Sequence, residues 1–137
     1  MIKIGDIFIE HFVVSSGIHE GFIAIFNDQH PLHTDAQYAV ARGFRSKVMH
    51  GNILNGFLSY FIGECLPDRE VMILSQEIKY QRPVYMGDHL TLEVGVIDVH
   101  HSVNVVEFAC KFRNDADGKT VASAKINVVK TTASKEA

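Results

Sequence analysis

Asp28 and His33 stand five residues apart in the stretch Asn27-Asp28-Gln29-His30-Pro31-Leu32-His33. A carboxylate and an imidazole that converge on one point can hold a water molecule and exchange protons with it. The same spacing also suits a solvated loop, because connecting segments are commonly polar. His30 and His33 together raise the question of zinc. Two ligands do not make a site, and no third donor stands at a metal-like spacing, so a metal is not expected.

A second polar group opens the most apolar stretch of the chain: His50-Gly51-Asn52, followed by Asn55 and Ser59. The first N–H groups of a helix have no partner inside it, and the helix dipole is positive there. Gly51 lets a ligand approach the backbone closely, so its N–H is a candidate donor to a developing oxyanion. A plain helix start with a small residue for packing has the same sequence. Asn52, Asn55 and Ser59 fall at i, i+3 and i+7 and share one face. Polar groups on so apolar a helix need partners. They find them across the core or they line a pocket.

These residues need elements to position them. Ile7 to Val14 is rich in β-branched and aromatic residues and predicts a strand. Ser15 and Ser16 are placed to cap a following helix whose Ile18, Phe22, Ile25 and Phe26 share a face. Asn27 to His33 predicts a loop. Thr34-Asp35-Ala36-Gln37 fits a capping box for a short helix to Arg42, with Gly43 placed to end it. From Gly51 to Cys65, Ile53, Leu54, Phe57, Leu58, Phe61 and Ile62 cover more than one face. That predicts a helix about 22 Å long, buried on several sides.

After Leu66-Pro67 the period changes to two. Alternation is carried by Leu74 to Gln81, His89 to Val96, Val106 to Arg113 and Ala122 to Val128. Such runs are half-buried antiparallel strands. Asp115-Ala116-Asp117-Gly118 is a turn between the last two. The expectation is an α+β domain over residues 1–130, an antiparallel sheet wrapped around one long helix. Residues 131–137 are expected to form a flexible tail. The sheet edges need cover, and dimerisation is one way to supply it.

With 137 residues, 47% apolar, 21% charged and a formal net charge of −3, the chain has no electrostatic case for nucleic acid or an anionic membrane. No apolar run reaches the roughly 20 residues of a membrane span. Cys65 and Cys110 have no CxxC spacing and read as reduced thiols. The N-terminus lacks the apolar stretch of a signal peptide. A cytoplasmic protein is the simplest reading.

Taken in order, the segments resemble one family. Asp28-Gln29-His30-Pro31-Leu32-His33-Thr34-Asp35 is similar to the D-x-N-P-x-H-x-D signature of MaoC-like, (R)-specific enoyl-CoA hydratases. His50-Gly51, with Ser59 eight residues after the glycine, resembles that family's H-G-M helix start. Gly63-Glu64-Cys65-Leu66-Pro67 looks like the helix end. Tyr80-Gln81-Arg82-Pro83-Val84-Tyr85-Met86-Gly87-Asp88 is similar to its F-x-x-P-V-x-x-G-D strand and turn. The resemblance covers about Ile4 to Val129.

The resemblance implies a hot-dog fold and reversible hydration of a trans-2-enoyl thioester, of CoA or acyl-carrier protein, to a (3R)-hydroxyacyl thioester in fatty-acid metabolism. It implies Asp28 and His33 as the catalytic pair and Gly51 as the oxyanion donor. Ser59 would orient the loop or the substrate, with His50, Asn52 and Asn55 beside the substrate. It implies no cofactor and a homodimer or higher homo-oligomer.

Departures from the pattern cluster beside the site: Phe26-Asn27 replaces Ser-Gly, His30 replaces Asn, Asn52 replaces Met, and Asn55-Gly56 replaces small or apolar residues. They point to a short or polar acyl group. Arg42, Arg45, Lys47 and Arg82 are either phosphate contacts or solvated charges. A hot-dog thioesterase and a non-catalytic acyl-binding domain are the competing readings.

Overall fold

The computed structural model describes residues 2–132. The elements run β1 (Ile7–Val13), α1 (Ser16–Phe26), α2 (Pro31–Thr34), α3 (Ala36–Ala41) and α4 (Asn52–Tyr60), which continues into a π-helical turn (Phe61–Cys65). Then come β2 (Val71–Tyr80), β3 (His89–His100), β4 (Val105–Asn114) and β5 (Thr120–Lys130). The five strands form one antiparallel sheet in the order β1-β3-β4-β5-β2.

The alternation in the second half of the chain sets which face of this sheet is dry. Leu90, Leu92, Val94 and Val96 of β3 are buried, as are Val106, Phe108, Cys110 and Phe112 of β4 and Ala122, Ala124, Ile126 and Val128 of β5. Against that face lies α4, with Ile53, Leu54, Phe57 and Leu58 buried and Phe61 and Ile62 buried in the π turn. Phe12 of β1 stacks on Phe57 at 4.3 Å, and Phe8 meets Phe61 at 5.9 Å. The sheet therefore curls around the helix, and the expected hot-dog architecture is what forms.

Several local expectations are corrected. The long helix is not α throughout: its last five residues widen into the π turn. This keeps both Phe61 and Ile62 in the core while Gly63 and Glu64 face out. Arg69 Nε donates to the Gly63 carbonyl at 2.9 Å, satisfying a helix-end acceptor. In β2 a bulge between Ile73 and Ser75 breaks the alternation, so Leu74 is exposed and Ile73 turns inward.

The capping box shifts by one residue. Asp35, not Thr34, caps α3, accepting from the N–H groups of Gln37 and Tyr38. Pro31 sits at the first position of the α2 turn, which takes in both His33 and Thr34. The Thr34 hydroxyl instead donates to the carbonyls of Gln29 and His30. In α1, capped by Ser15 as expected, the apolar face is only half used. Ile25 and Phe26 are exposed, and the buried residue is His19. Ile18 and Phe22 pack on the core, while His19 reaches the polar groups of the site.

The tail begins in order: Thr131 N–H donates to the Glu70 carbonyl at 2.7 Å. Residues 133–137 lie outside the described residues. No helix among the described residues is long and apolar enough to cross a membrane.

Phe108 lies at the centre of the sheet, fully buried. Truncation there leaves a cavity that the surrounding β-strands cannot close. Phe108→Ala is expected to lower the free energy of unfolding by about 3–5 kcal/mol, read from urea denaturation. A loss under about 1 kcal/mol would contradict this account of the core.

Candidate active site

The site forms where α1, the Asp28 loop, α2 and the start of α4 meet. Asn27 ends α1 in a left-handed conformation, with φ of 56°, a position asparagine tolerates better than most residues. The chain then reverses through Asp28 into the α2 turn. The segment leading to α4 passes beside it: Val48 N–H donates to the Leu32 carbonyl and Met49 N–H to the Val84 carbonyl.

Three imidazoles are held by main-chain carbonyls. His33 Nδ1 lies 2.7 Å from the Val48 carbonyl, His50 Nε2 2.9 Å from the Asp28 carbonyl, and His19 Nε2 2.9 Å from the His33 carbonyl. A carbonyl oxygen only accepts, so each of these nitrogens carries the proton. In neutral rings His33 is left with a bare Nε2 and His50 with a bare Nδ1. The His50 Nδ1 is buried with no protein partner. The His33 and His50 rings stack at 4.0 Å, and Phe22 packs on His50 at 4.4 Å.

Asp28, His33 and His50 bring ligand-capable atoms within 4.8 Å of one another. Asp28 and His33 thus converge, as the loop spacing allowed, and His50 joins them from 22 residues away. This corrects the sequence argument on metal donors: a third one exists, but it comes from the α4 start. His30 does not take part, because its Nδ1 accepts from Leu32 N–H. The same three side chains suit either proton transfer or a small divalent ion. A second carboxylate–histidine group, Asp98, His100 and Glu107, lies apart from this site. There His100 is half-exposed and bonded to Glu107 at 2.7 Å.

The oxyanion candidate sits next to this group. Gly51 precedes the first turn of α4, and the N–H groups of Gly51 and Asn52 find no acceptor among the described residues. Its φ of −57° is one any residue adopts, so the glycine is not there for backbone freedom. A Cβ at Gly51 would lie 2.9 Å from the ring of Tyr80. With the Tyr80 ring in this position, a side chain at residue 51 would have to displace it.

A cleft of about 530 Å³ is lined by Asp28, His33, His50, Gly51, Asn52, Tyr80 and Arg82, among others. A larger and more apolar groove of about 870 Å³ runs between α1 and α4, past Phe22, Phe26, Gly56 and Phe57. The two share Asp28, Asn52 and Ile53 as a common wall. Asn55 lines the groove. Its amide donates to Asn52 Oδ1 at 2.8 Å and to the Tyr80 hydroxyl at 3.1 Å, while its carbonyl accepts from Gln76. Burial holds the Tyr80 phenol above its usual range, against the opposing hydrogen bond from Asn55. Ser59 is exposed and lines neither cavity.

Of the four candidate cations, Arg82 lines the cleft. Arg42 stacks on Tyr38 at 3.4 Å, and Arg45 lies over Tyr85 at 4.3 Å. Several site residues had no signal in the sequence. His19 read as a polar position of an amphipathic helix, and the Val48 carbonyl has no side-chain signature at all. Gln76 and Tyr80 read as members of an inward strand face.

Comparison with known proteins agrees with this geometry. The model of the MaoC-like domain matches residues 14–115. An (R)-specific enoyl-CoA hydratase of Aeromonas caviae is 35% identical over 75 residues, 55% of this chain and 56% of that one. The chain thus spans little more than half the length of that relative. A mitochondrial 3-hydroxyacyl-[acyl-carrier-protein] dehydratase of Arabidopsis thaliana is 29% identical over 117 residues, 83% of this chain and 69% of that one. An R-hydratase structure from Pseudomonas aeruginosa superposes with a TM-score of 0.85 at 26% identity, covering 96% of this chain and 84% of that one. With the match running from the end of β1 through β4, and the Asp28–His33 loop and the Gly51 helix start inside it, the chain belongs to the MaoC-like domain family.

Proposed function

We propose that the protein is an (R)-specific hydratase/dehydratase acting on trans-2-enoyl thioesters. The observation that carries this reading is the bare Nε2 of His33. Its ring is anchored through Nδ1 to the Val48 carbonyl, beside the Asp28 carboxylate and the unpartnered N–H groups at the start of α4.

In the hydration direction, Asp28 and His33 Nε2 hold a water between them. His33 takes a proton as the water oxygen bonds to C3 of the substrate. The C2–C3 π electrons move towards the thioester, forming an enolate. Its oxygen is met by the Gly51 N–H; losing such a donor typically costs about 2.7–4 kcal/mol. The imidazolium returns a proton to C2, which restores the resting tautomer and gives the 3-hydroxyacyl thioester. Read backwards, the same steps remove water.

The thioester and the first acyl carbons fit the cleft, where Arg82 is available to a carrier phosphate, and the rest of the acyl chain fits the apolar groove between α1 and α4. Assembly follows from the sheet edge: β2 exposes Met72, Leu74 and Tyr80 on an unpaired edge strand. Pairing β2 with its copy in a second chain would cover this edge in both copies at once.

Three outcomes test the reading. Purified protein with a short trans-2-enoyl-CoA should bleach the enoyl-thioester absorbance and yield the (3R) product. Asp28→Asn and His33→Ala should each lower kcat by about 10²–10⁴-fold. Release of free thiol in place of hydration would turn the assignment to a thioesterase; tight binding without turnover would turn it to an acyl-binding domain. Second, ¹⁵N–¹H correlation of the imidazoles should find His33 protonated at Nδ1 and His50 at Nε2. The opposite tautomer at His33 would remove the base from this mechanism. Third, sedimentation should give about twice the 15.3 kDa chain mass, and Met72→Glu with Leu74→Glu should shift it towards the monomer. A wild-type monomer at micromolar concentration would overturn the β2 pairing.

A further inference from the structure

Asn52 and Asn55 look at first like two polar groups facing an acyl pocket. The hydrogen bonds divide them. Asn55 is fully engaged: both amide hydrogens are donated, to Asn52 Oδ1 and the Tyr80 hydroxyl, and its oxygen accepts from Gln76. It offers the pocket nothing further to donate. Its neighbours are left half-engaged in the same sense. Asn52 accepts through Oδ1, so its NH₂ has no partner among the described residues. The Tyr80 oxygen also accepts, and its O–H proton has no acceptor among the described residues. Asn52 belongs to the shared wall between cleft and groove, and Tyr80 lines the cleft over Gly51.

The run of hydrogen bonds begins at Gln76. Its amide donates into Asn55, which turns the Asn55 amide outward, so that Asn52 and Tyr80 both end as donors. Gln76 is half-buried on β2 and lines neither cavity.

We infer that Asn52 and Tyr80 form a donor pair that selects enoyl thioesters carrying an oxygen acceptor on the acyl group close to the double bond, with Asn55 and Gln76 acting as positioning residues. The inference rests on the hydratase reading and names the substrate class of that site. A plain hydrocarbon chain would strip water from both donors and return nothing. A site built around donors discriminates against the analogue that lacks their acceptor.

The test compares two isosteric substrates, 4-hydroxybut-2-enoyl-CoA and pent-2-enoyl-CoA, which differ by a hydroxyl in place of a methyl. The readout is the ratio of their kcat/KM values, measured in wild type and variants. The wild-type ratio is expected to be about five- to tenfold in favour of the hydroxylated substrate, the size of one or two ordinary hydrogen bonds. Tyr80→Phe removes one donor and keeps the ring against Gly51; Asn52→Leu removes the other. Each should lower the ratio by about threefold or more.

Gln76→Glu is the decisive variant. Its carboxylate can only accept, so the Asn55 amide must turn towards it and present its oxygen to Asn52 and Tyr80. Both would then donate inward, and the preference should fall to one or below. Circular dichroism and a thermal melt check that each variant is folded, and Tyr80→Phe with Gln76→Glu suffice if Asn52→Leu is not. A wild-type ratio at or below one, or one that the folded variants leave unchanged, overturns the selectivity while hydration stands. Turnover of neither substrate by wild type overturns the hydratase reading, and this inference with it.

Discussion

The burial of α4 is the constraint from which the site follows. Its side chains point into the core on more than one side, with Ile53, Leu54, Phe57 and Leu58 all buried. The sheet has to curl around such a helix, and its axis is then fixed by packing on β3, β4 and β5. What stays open is its N-terminus. The first N–H groups of any helix lack partners within it, so the most buried helix of the fold presents unpaired donors at a position the core determines. A site on a flexible loop would need to order those donors at each turnover. Here the cost is met on folding.

The imidazoles of the candidate site are held by a different means. His33 and His50 reside on separate segments, and each ring is oriented by a main-chain carbonyl of the other region: Val48 for His33 and Asp28 for His50. The two bonds cross. They tie the Asp28 loop to the α4 entry, and they assign opposite tautomers to two stacked rings. A carbonyl anchor has one consequence that a carboxylate anchor lacks. It brings no negative charge, so it fixes the proton on Nδ1 of His33 without adding a charge to stabilise the imidazolium. In the proposed mechanism the Asp28 carboxylate is the group left to interact with the proton in transit.

The sheet and the long helix were legible because each is specified many times over. Four runs of period two and one multi-faced apolar stretch leave little choice of architecture, and local errors such as the Leu74 bulge do not disturb it. The pair Asp28 and His33 was legible as a possibility from residue type, and as a function only through the resemblance of the whole ordered set of segments. The rest was hidden for physical reasons. His19 and the Val48 carbonyl act through contacts between segments distant in sequence, and a carbonyl is the same in every residue. The Thr34 capping box failed because Pro31 starts a turn earlier and Asp35 is a stronger cap in that position. Gly51 was read either as room for a ligand's close approach or as a small residue for packing, and the Tyr80 ring that takes up the room beside it comes from a strand 29 residues away in the sequence.

That contact joins two parts of the molecule that the sequence keeps apart. Tyr80 is the last residue of β2, and β2 is an edge of the sheet. Its ring lies against Gly51 and its hydroxyl is bonded to Asn55. Whatever covers the β2 edge therefore bears, through one aromatic side chain, on the backbone N–H proposed to bind the oxyanion. Gln76, four residues earlier on the same strand, sets the direction of the hydrogen bonds that Tyr80 completes. The Tyr80 ring takes the room that a side chain at position 51 would need. The edge strand is in this sense part of the site: it supplies the surface that a second chain would cover and one wall of the cleft where the thioester would react.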